Sequence, residues 1–170
     1  MTRFIQPRLW FLFSGLACAA MLVWALYKQH VDFLDPCPLC ILQRLVFMWI
    51  GVLGLVAAIH GPGKTGQWIF GLLLMVGGLL GMGLAGRHVW LQNLPAGEIS
   101  DCGMGLNYML DTMPILDVVR EVFYGAGECG EVLWTFLGIS IPGWAFIWFA
   151  IFTVGTLGIL IFSNNNKATA

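Results

Sequence analysis

Charge is what this chain has least of. Only 10% of its 170 residues are Asp, Glu, Lys or Arg, whereas a soluble domain carries about a quarter. That deficit excludes an ordinary soluble globular protein, and the 59% hydrophobic content points to a lipid environment. With a net charge of −1, no nucleic-acid partner is expected. Also missing are the segments of about ten alternating apolar and polar residues that mark a membrane β-barrel. A small-residue cleavage site is lacking after the first apolar run, where "YKQHVDFL" follows. That run therefore reads as a spanning helix and not as a removable signal peptide.

What is present is a set of four apolar runs, each near the roughly 20 residues that cross a bilayer core of about 30 Å. Backbone groups in hydrocarbon must be satisfied within their own segment, so these runs should be helices. Helices are expected over about residues 9–27, 41–59, 68–88 and 144–162, with residues 1–170 forming one membrane domain. The fold class is all-α, a four-transmembrane-helix bundle with one long loop. Arg44 is the only formal charge well inside any run. In the third run, Gly77, Gly81 and Ala85 recur at four-residue spacing, which lets helices approach closely. The general glycine enrichment of membrane helices explains them equally well.

Four helices put both termini on one side, together with "HGPGKTGQ". Residues 28–40 and 89–143 fall on the other side. Basic residues divide evenly between the two, so the positive-inside rule does not decide the orientation. All nine acidic residues lie on the long-loop side, and so do Cys37, Cys40, Cys102 and Cys129. Paired cysteines persist in oxidising compartments. The long loop is therefore expected in a bacterial-type periplasm and the termini in the cytoplasm, which makes the location the inner membrane. Within the loop, "PILDVVREVF" places Ile115, Val118, Val119 and Val122 on one helical face. It is too short to span, and reads as a short amphipathic helix lying on the membrane or packed on its own loop.

Cys18 lies mid-helix in "GLACAAML" and reads as an inert core residue. The other four cysteines make two natural pairs, Cys37 with Cys40 and Cys102 with Cys129, although three pairings are formally open. A zinc module usually brings two closely spaced pairs, and Cys102 and Cys129 are far apart, so no metal is expected. A disulfide closing a long loop stabilises, but one across two intervening residues closes almost no loop. Its value lies in exchange. Pro38 suits the first turn of a helix, with Cys37 at the N-cap. Cys40 then falls in that turn, near unsatisfied N–H groups that favour a thiolate. Arg44 lies four residues on, along the same face. A cation at that depth pairs, snorkels to the interface or binds an electron-rich ligand. Arg87 and His88 end the third run at the same membrane face, where they can line a pocket beside Cys40 or simply sit at the interface.

Taken together, "CPLCILQR" opening the second run, "GRHVWLQNLP" closing the third, and the cysteines of "EISDCGMG" and "GAGECGE" resemble the disulfide bond formation protein B (DsbB) family. The resemblance spans nearly the whole chain. It implies a quinone-linked thiol oxidase that reoxidises the periplasmic dithiol oxidase DsbA, with ubiquinone or menaquinone as the acceptor. It further implies that Cys102 takes the mixed disulfide with the partner, that Cys129 is its disulfide mate, and that Cys37 exchanges with that pair. Cys40 would stand next to the quinone, with Arg44 and His88 flanking the ring. Two other readings remain open on sequence. One is a membrane thiol enzyme of the vitamin K epoxide reductase type, in which the CxxC is expected late in the chain. The other is a non-catalytic scaffold stapled by disulfides.

Overall fold

The computed structural model describes residues 2–33, 36–94, 111–117, 132 and 134–165. Four long helices carry the fold: α1 (Thr2–Val31), α2 (Pro38–His60), α3 (Lys64–Gln92) and α4 (Ile141–Asn165). All four are long and apolar enough to cross a membrane. Each outruns the apolar stretch that announced it. At the ends of a spanning segment the helix meets water, which satisfies the last backbone groups, so Lys64 and Gln92 continue the helix without a hydrophobic reason to do so.

Helix α1 lies along α2, α3 lies along α4, and α2 meets α3 to join the two pairs. The centre is aromatic: Phe47 of α2 stacks on Phe149 of α4 with ring centroids 4.2 Å apart, and Phe11, Ile50, Leu74 and Phe152 close around them. Between 22% and 33% of each span is buried within the protein. Large apolar side chains such as Val23, Val52, Leu79 and Val154 therefore face outward, which suits lipid and not water.

Two glycines set how closely the helices approach. A Cβ at Gly81 would lie 2.5 Å from the Phe149 ring, so α3 and α4 can meet at this height only without a side chain. At Gly54 a Cβ would meet the Phe11 carbonyl oxygen at 2.8 Å, which fixes the α1–α2 contact in the same way. Of the small residues singled out in the third run, Gly77 faces Trp49 and Ala85 is fully buried. Among the described residues, no buried side-chain nitrogen or oxygen lacks a hydrogen-bond partner. Ser14 Oγ donates to the Phe11 carbonyl at 2.9 Å, Trp10 Nε1 to Thr156 Oγ1 at 3.1 Å, and Arg8 Nε to the Ala58 carbonyl at 2.7 Å near the end of α2.

Ahead of α4 lies a small antiparallel hairpin, β1 (Thr135–Phe136) with β2 (Ile139–Ser140), paired Thr135 to Ser140 and Phe136 to Ile139. Its two turn residues, Leu137 and Gly138, have φ of 54° and 78°. Positive φ at both positions matches the right-handed twist of a two-residue hairpin, and the glycine takes the second position at little cost. Of the expected amphipathic helix, residues 115–117 form a helical turn in which the Asp117 amide donates to the Pro114 carbonyl at 2.9 Å. The remainder of that stretch lies outside the described residues.

Candidate active site

The start of α2 builds the site. Cys37 is its N-cap, with extended backbone (φ −63°, ψ 162°), and Pro38 opens the first turn. The helix begins here because proline's fixed φ suits the first turn and its missing N–H is not needed there. The Ile41 amide closes that turn on the Cys37 carbonyl at 3.1 Å. Cys37 is thereby drawn inward, only 6% exposed, into a small apolar cluster with Leu39 and Leu91. Cys40, three residues on, is half-buried and turned toward a different space. The two sulfurs thus share one helix turn, and of the two only Cys40 also faces the cavity.

His88 reaches them from α3. Its Nε2 lies 3.6 Å from Cys37 Sγ and its Nδ1 lies 4.0 Å from Cys40 Sγ. The ring is 2% exposed, and Gln43, also buried, presents its amide nitrogen to Nδ1 at 3.2 Å. An amide that donates to Nδ1 leaves the ring proton on Nε2, which faces Cys37. One imidazole therefore stands against both cysteines, its tautomer set by a neighbour one turn along α2. The ligating atoms of Cys37, Cys40 and His88 all lie within 4.8 Å of one another.

Cys40, Gln43, Arg44 and Phe47 form one wall of a cavity of about 620 Å³. The opposite walls come from Met21, Trp24, Ala25 and Lys28 of α1, from Trp134 and Phe136, and from Trp144 and Trp148 of α4. Arg44 Nη1 donates to Gln29 Oε1 at 2.5 Å and Nη2 to the Ala25 carbonyl at 3.4 Å, so α1 holds the guanidinium at the cavity edge. The hairpin is fastened over this space by rings. Trp134 stands 5.0 Å from Trp24 and 5.9 Å from Phe136, and Trp144 Nε1 donates to the Phe136 carbonyl at 3.1 Å. Lys28 Nζ, paired with Asp32, sits 5.1 Å from the Trp134 ring centre.

The structure brings together Cys37, Cys40, Arg44 and His88 among the residues singled out from sequence. His88 meets the sulfurs and is not among the cavity-lining residues, whereas Arg44 is. Arg87 lies 4.1 Å from the centre of the Trp90 ring. Cys18 is fully buried in α1, beside Gly51 of α2. Cys102 and Cys129 lie outside the described residues. Three participants escaped the sequence reading: Gln43, Gln29 and Trp134. For Gln43 the signal was present, as an amide inside an apolar run one turn beyond a cysteine. For Gln29 and Trp134 only the folded arrangement shows the role.

Comparison with known proteins places the chain in a family. The family model described as disulfide bond formation protein DsbB matches residues 7–159. A relative from Nitrosococcus oceani is 48% identical over 153 residues, covering 88% of this chain and 90% of its own length. Relatives from Saccharophagus degradans, 43% identical over 157 residues, and Marinobacter nauticus, 45% identical over 146, cover 92% and 86% of this chain and 91% and 86% of their own lengths. All three are disulfide bond formation protein B. With a CxxC at the head of its second spanning helix and relatives matched over nearly their full length, this four-helix membrane chain belongs to the DsbB family of disulfide bond formation proteins.

Proposed function

We propose that the chain oxidises the thiols of a periplasmic dithiol oxidase of the DsbA type and delivers the electrons, through two cysteine pairs, to membrane quinone. The carrying observation is Cys40, which lines the aromatic-walled cavity beside Arg44 and Gln43 while Cys37 does not. The cavity is of the size that ligand sites usually have. Its aromatic and aliphatic walls suit a flat apolar ring, and the guanidinium of Arg44 and the amide of Gln43 are donors for ring oxygens. The residues present therefore fit a ubiquinone or menaquinone head group, held by Arg44 with Phe47, Trp144 and Trp148 around it. When bound, a quinone supplies an acceptor for two electrons and two protons.

In this reading a thiolate of the soluble donor attacks Cys102 in a Cys102–Cys129 disulfide, releasing Cys129 as a thiolate and forming a mixed disulfide. The donor's second thiol displaces Cys102, so the donor leaves oxidised and the loop pair is left reduced. The loop pair then exchanges with a Cys37–Cys40 disulfide through Cys37, which becomes a dithiol. Two electrons and two protons leave from that dithiol, Cys40 being its member on the cavity. His88 stands where protons must move: with Nε2 against Cys37 and Nδ1 toward Cys40, the imidazole returns a proton to one sulfur and accepts one from the other. The division of labour follows from solubility. A soluble donor cannot reach a lipid-soluble acceptor, so one pair works in water and the other at the membrane face.

The termini then face the cytoplasm and the cysteines the periplasm of a bacterial inner membrane. The reading is tested by trapping cysteine states in cells depleted of quinone. An oxidase accumulates Cys37, Cys40, Cys102 and Cys129 as thiols when its acceptor is missing; retention of both disulfides would show a structural scaffold instead.

A further inference from the structure

We propose that Cys37, Cys40 and His88 form a binding site for a thiophilic divalent cation, Zn²⁺ or Cd²⁺, that is open only while the cysteine pair is reduced. The two sulfurs and one nitrogen of the His88 ring lie within 4.8 Å of one another. Zinc binds sulfur at about 2.3 Å and imidazole nitrogen at about 2.0–2.1 Å, and a tetrahedral angle between such bonds puts sulfur and nitrogen about 3.5–3.6 Å apart. The Cys37 Sγ to His88 Nε2 distance is 3.6 Å. The donor set, two thiols and an imidazole, is one that soft cations prefer over Mg²⁺ or Ca²⁺.

The surroundings complete the site. A ligating imidazole needs a partner on its other nitrogen, and Gln43 is in place 3.2 Å from Nδ1. Turned over, its amide offers Oε1 to an Nδ1–H, which frees Nε2 for the metal. Cys40 lines the cavity, so an ion has a way in, and the fourth position of a three-ligand site is left for water. Binding releases one proton from each of the two thiols and changes no oxidation state. Oxidation of the same sulfurs to a disulfide removes both thiolate ligands, so the metal and the disulfide exclude each other. The consequence is a brake: a chain whose cysteine pair waits as a dithiol is the one that a soft cation captures.

The site is tested with Cd²⁺ and Zn²⁺ on the full chain carrying Cys102→Ser and Cys129→Ser, purified in detergent and reduced, so that no loop thiol contributes. Cd²⁺–thiolate absorption is expected to saturate at one ion per chain. Affinity is expected to fall at least ten-fold with His88→Gln and to vanish after oxidation of the Cys37–Cys40 pair. X-ray absorption on the Zn²⁺ form, with His88 intact, is expected to show two sulfurs and at least one imidazole nitrogen, which covers the case of a His88 variant that does not fold. Absence of saturable binding, undiminished affinity in the His88 variant, or a metal shell without imidazole overturns the proposal. These measurements need no quinone and no partner, so they stand or fall apart from the proposed oxidase activity.

Discussion

Replacing Arg44 with Met removes the guanidinium but keeps a side chain that packs as the arginine stem does. In the structure Arg44 is half-buried, lines the cavity with Cys40, and donates to Gln29 and to the Ala25 carbonyl. Those two acceptors belong to α1 near its end, where water can replace the lost donors, so the helices should remain assembled. A hydrogen bond from a charged group to a ligand oxygen contributes about 1.5–3 kcal/mol. At about 1.4 kcal/mol per decade, its loss raises the apparent KM for quinone roughly 10- to 100-fold. The assay is initial-rate quinone reduction by the purified protein at fixed reduced dithiol donor, repeated at varied donor and saturating quinone. The donor's KM is expected to stay within about two-fold, because in the proposed function the donor meets the loop pair and not the cavity. Gln29→Leu serves as the graded control: it keeps the charge but releases its tether, so a smaller rise in quinone KM is expected. An unchanged quinone KM in Arg44→Met, or an equal rise in the donor's KM, refutes a ligand role for Arg44.

Gly81→Ala forces a Cβ into the Phe149 ring, and overpacking of this kind costs about 1–3 kcal/mol, read as a lower Tm in detergent. Gly83→Ala on the same helix meets nothing within 4 Å and should leave Tm unchanged or slightly higher. Gln43→Leu leaves His88 Nδ1 buried without its amide partner, a loss of about 1–3 kcal/mol that thermal unfolding should report. Cys18→Ala should leave turnover within about two-fold, and Cys18 should resist maleimide until the protein is denatured, because it is fully buried away from the cavity.

The spans were legible because length and apolarity are sufficient to specify a helix in hydrocarbon, and Cys37 at the N-cap was legible because Pro38 leaves few other places for the helix to begin. The helix ends were not, since the polar turns at Lys64 and Gln92 obey no hydrophobic rule. The hairpin escaped as well: two-residue strands carry no periodicity, and Leu137 is not a residue that advertises positive φ. In the site, sequence placed His88 and Cys40 at one membrane face but could not say that the imidazole would stand against both sulfurs while Arg44 turned to the cavity. That depends on how α2 is rotated against α1 and α3, which is settled by packing such as Gly54 on Phe11 and Gly77 on Trp49. Gln29 illustrates the limit: it lies in the last turns of α1, and only the docking of α1 on α2 makes it the acceptor for Arg44.

The central claim is that electrons leave the protein from the cysteine on the cavity. It is tested most directly by following quinone absorbance with purified Cys40→Ser, supplied with a reduced DsbA-type donor and excess quinone. The account predicts no quinone reduction by this variant, because the remaining thiol, Cys37, is buried beside His88 and does not line the cavity. Turnover at the unsubstituted rate would contradict it.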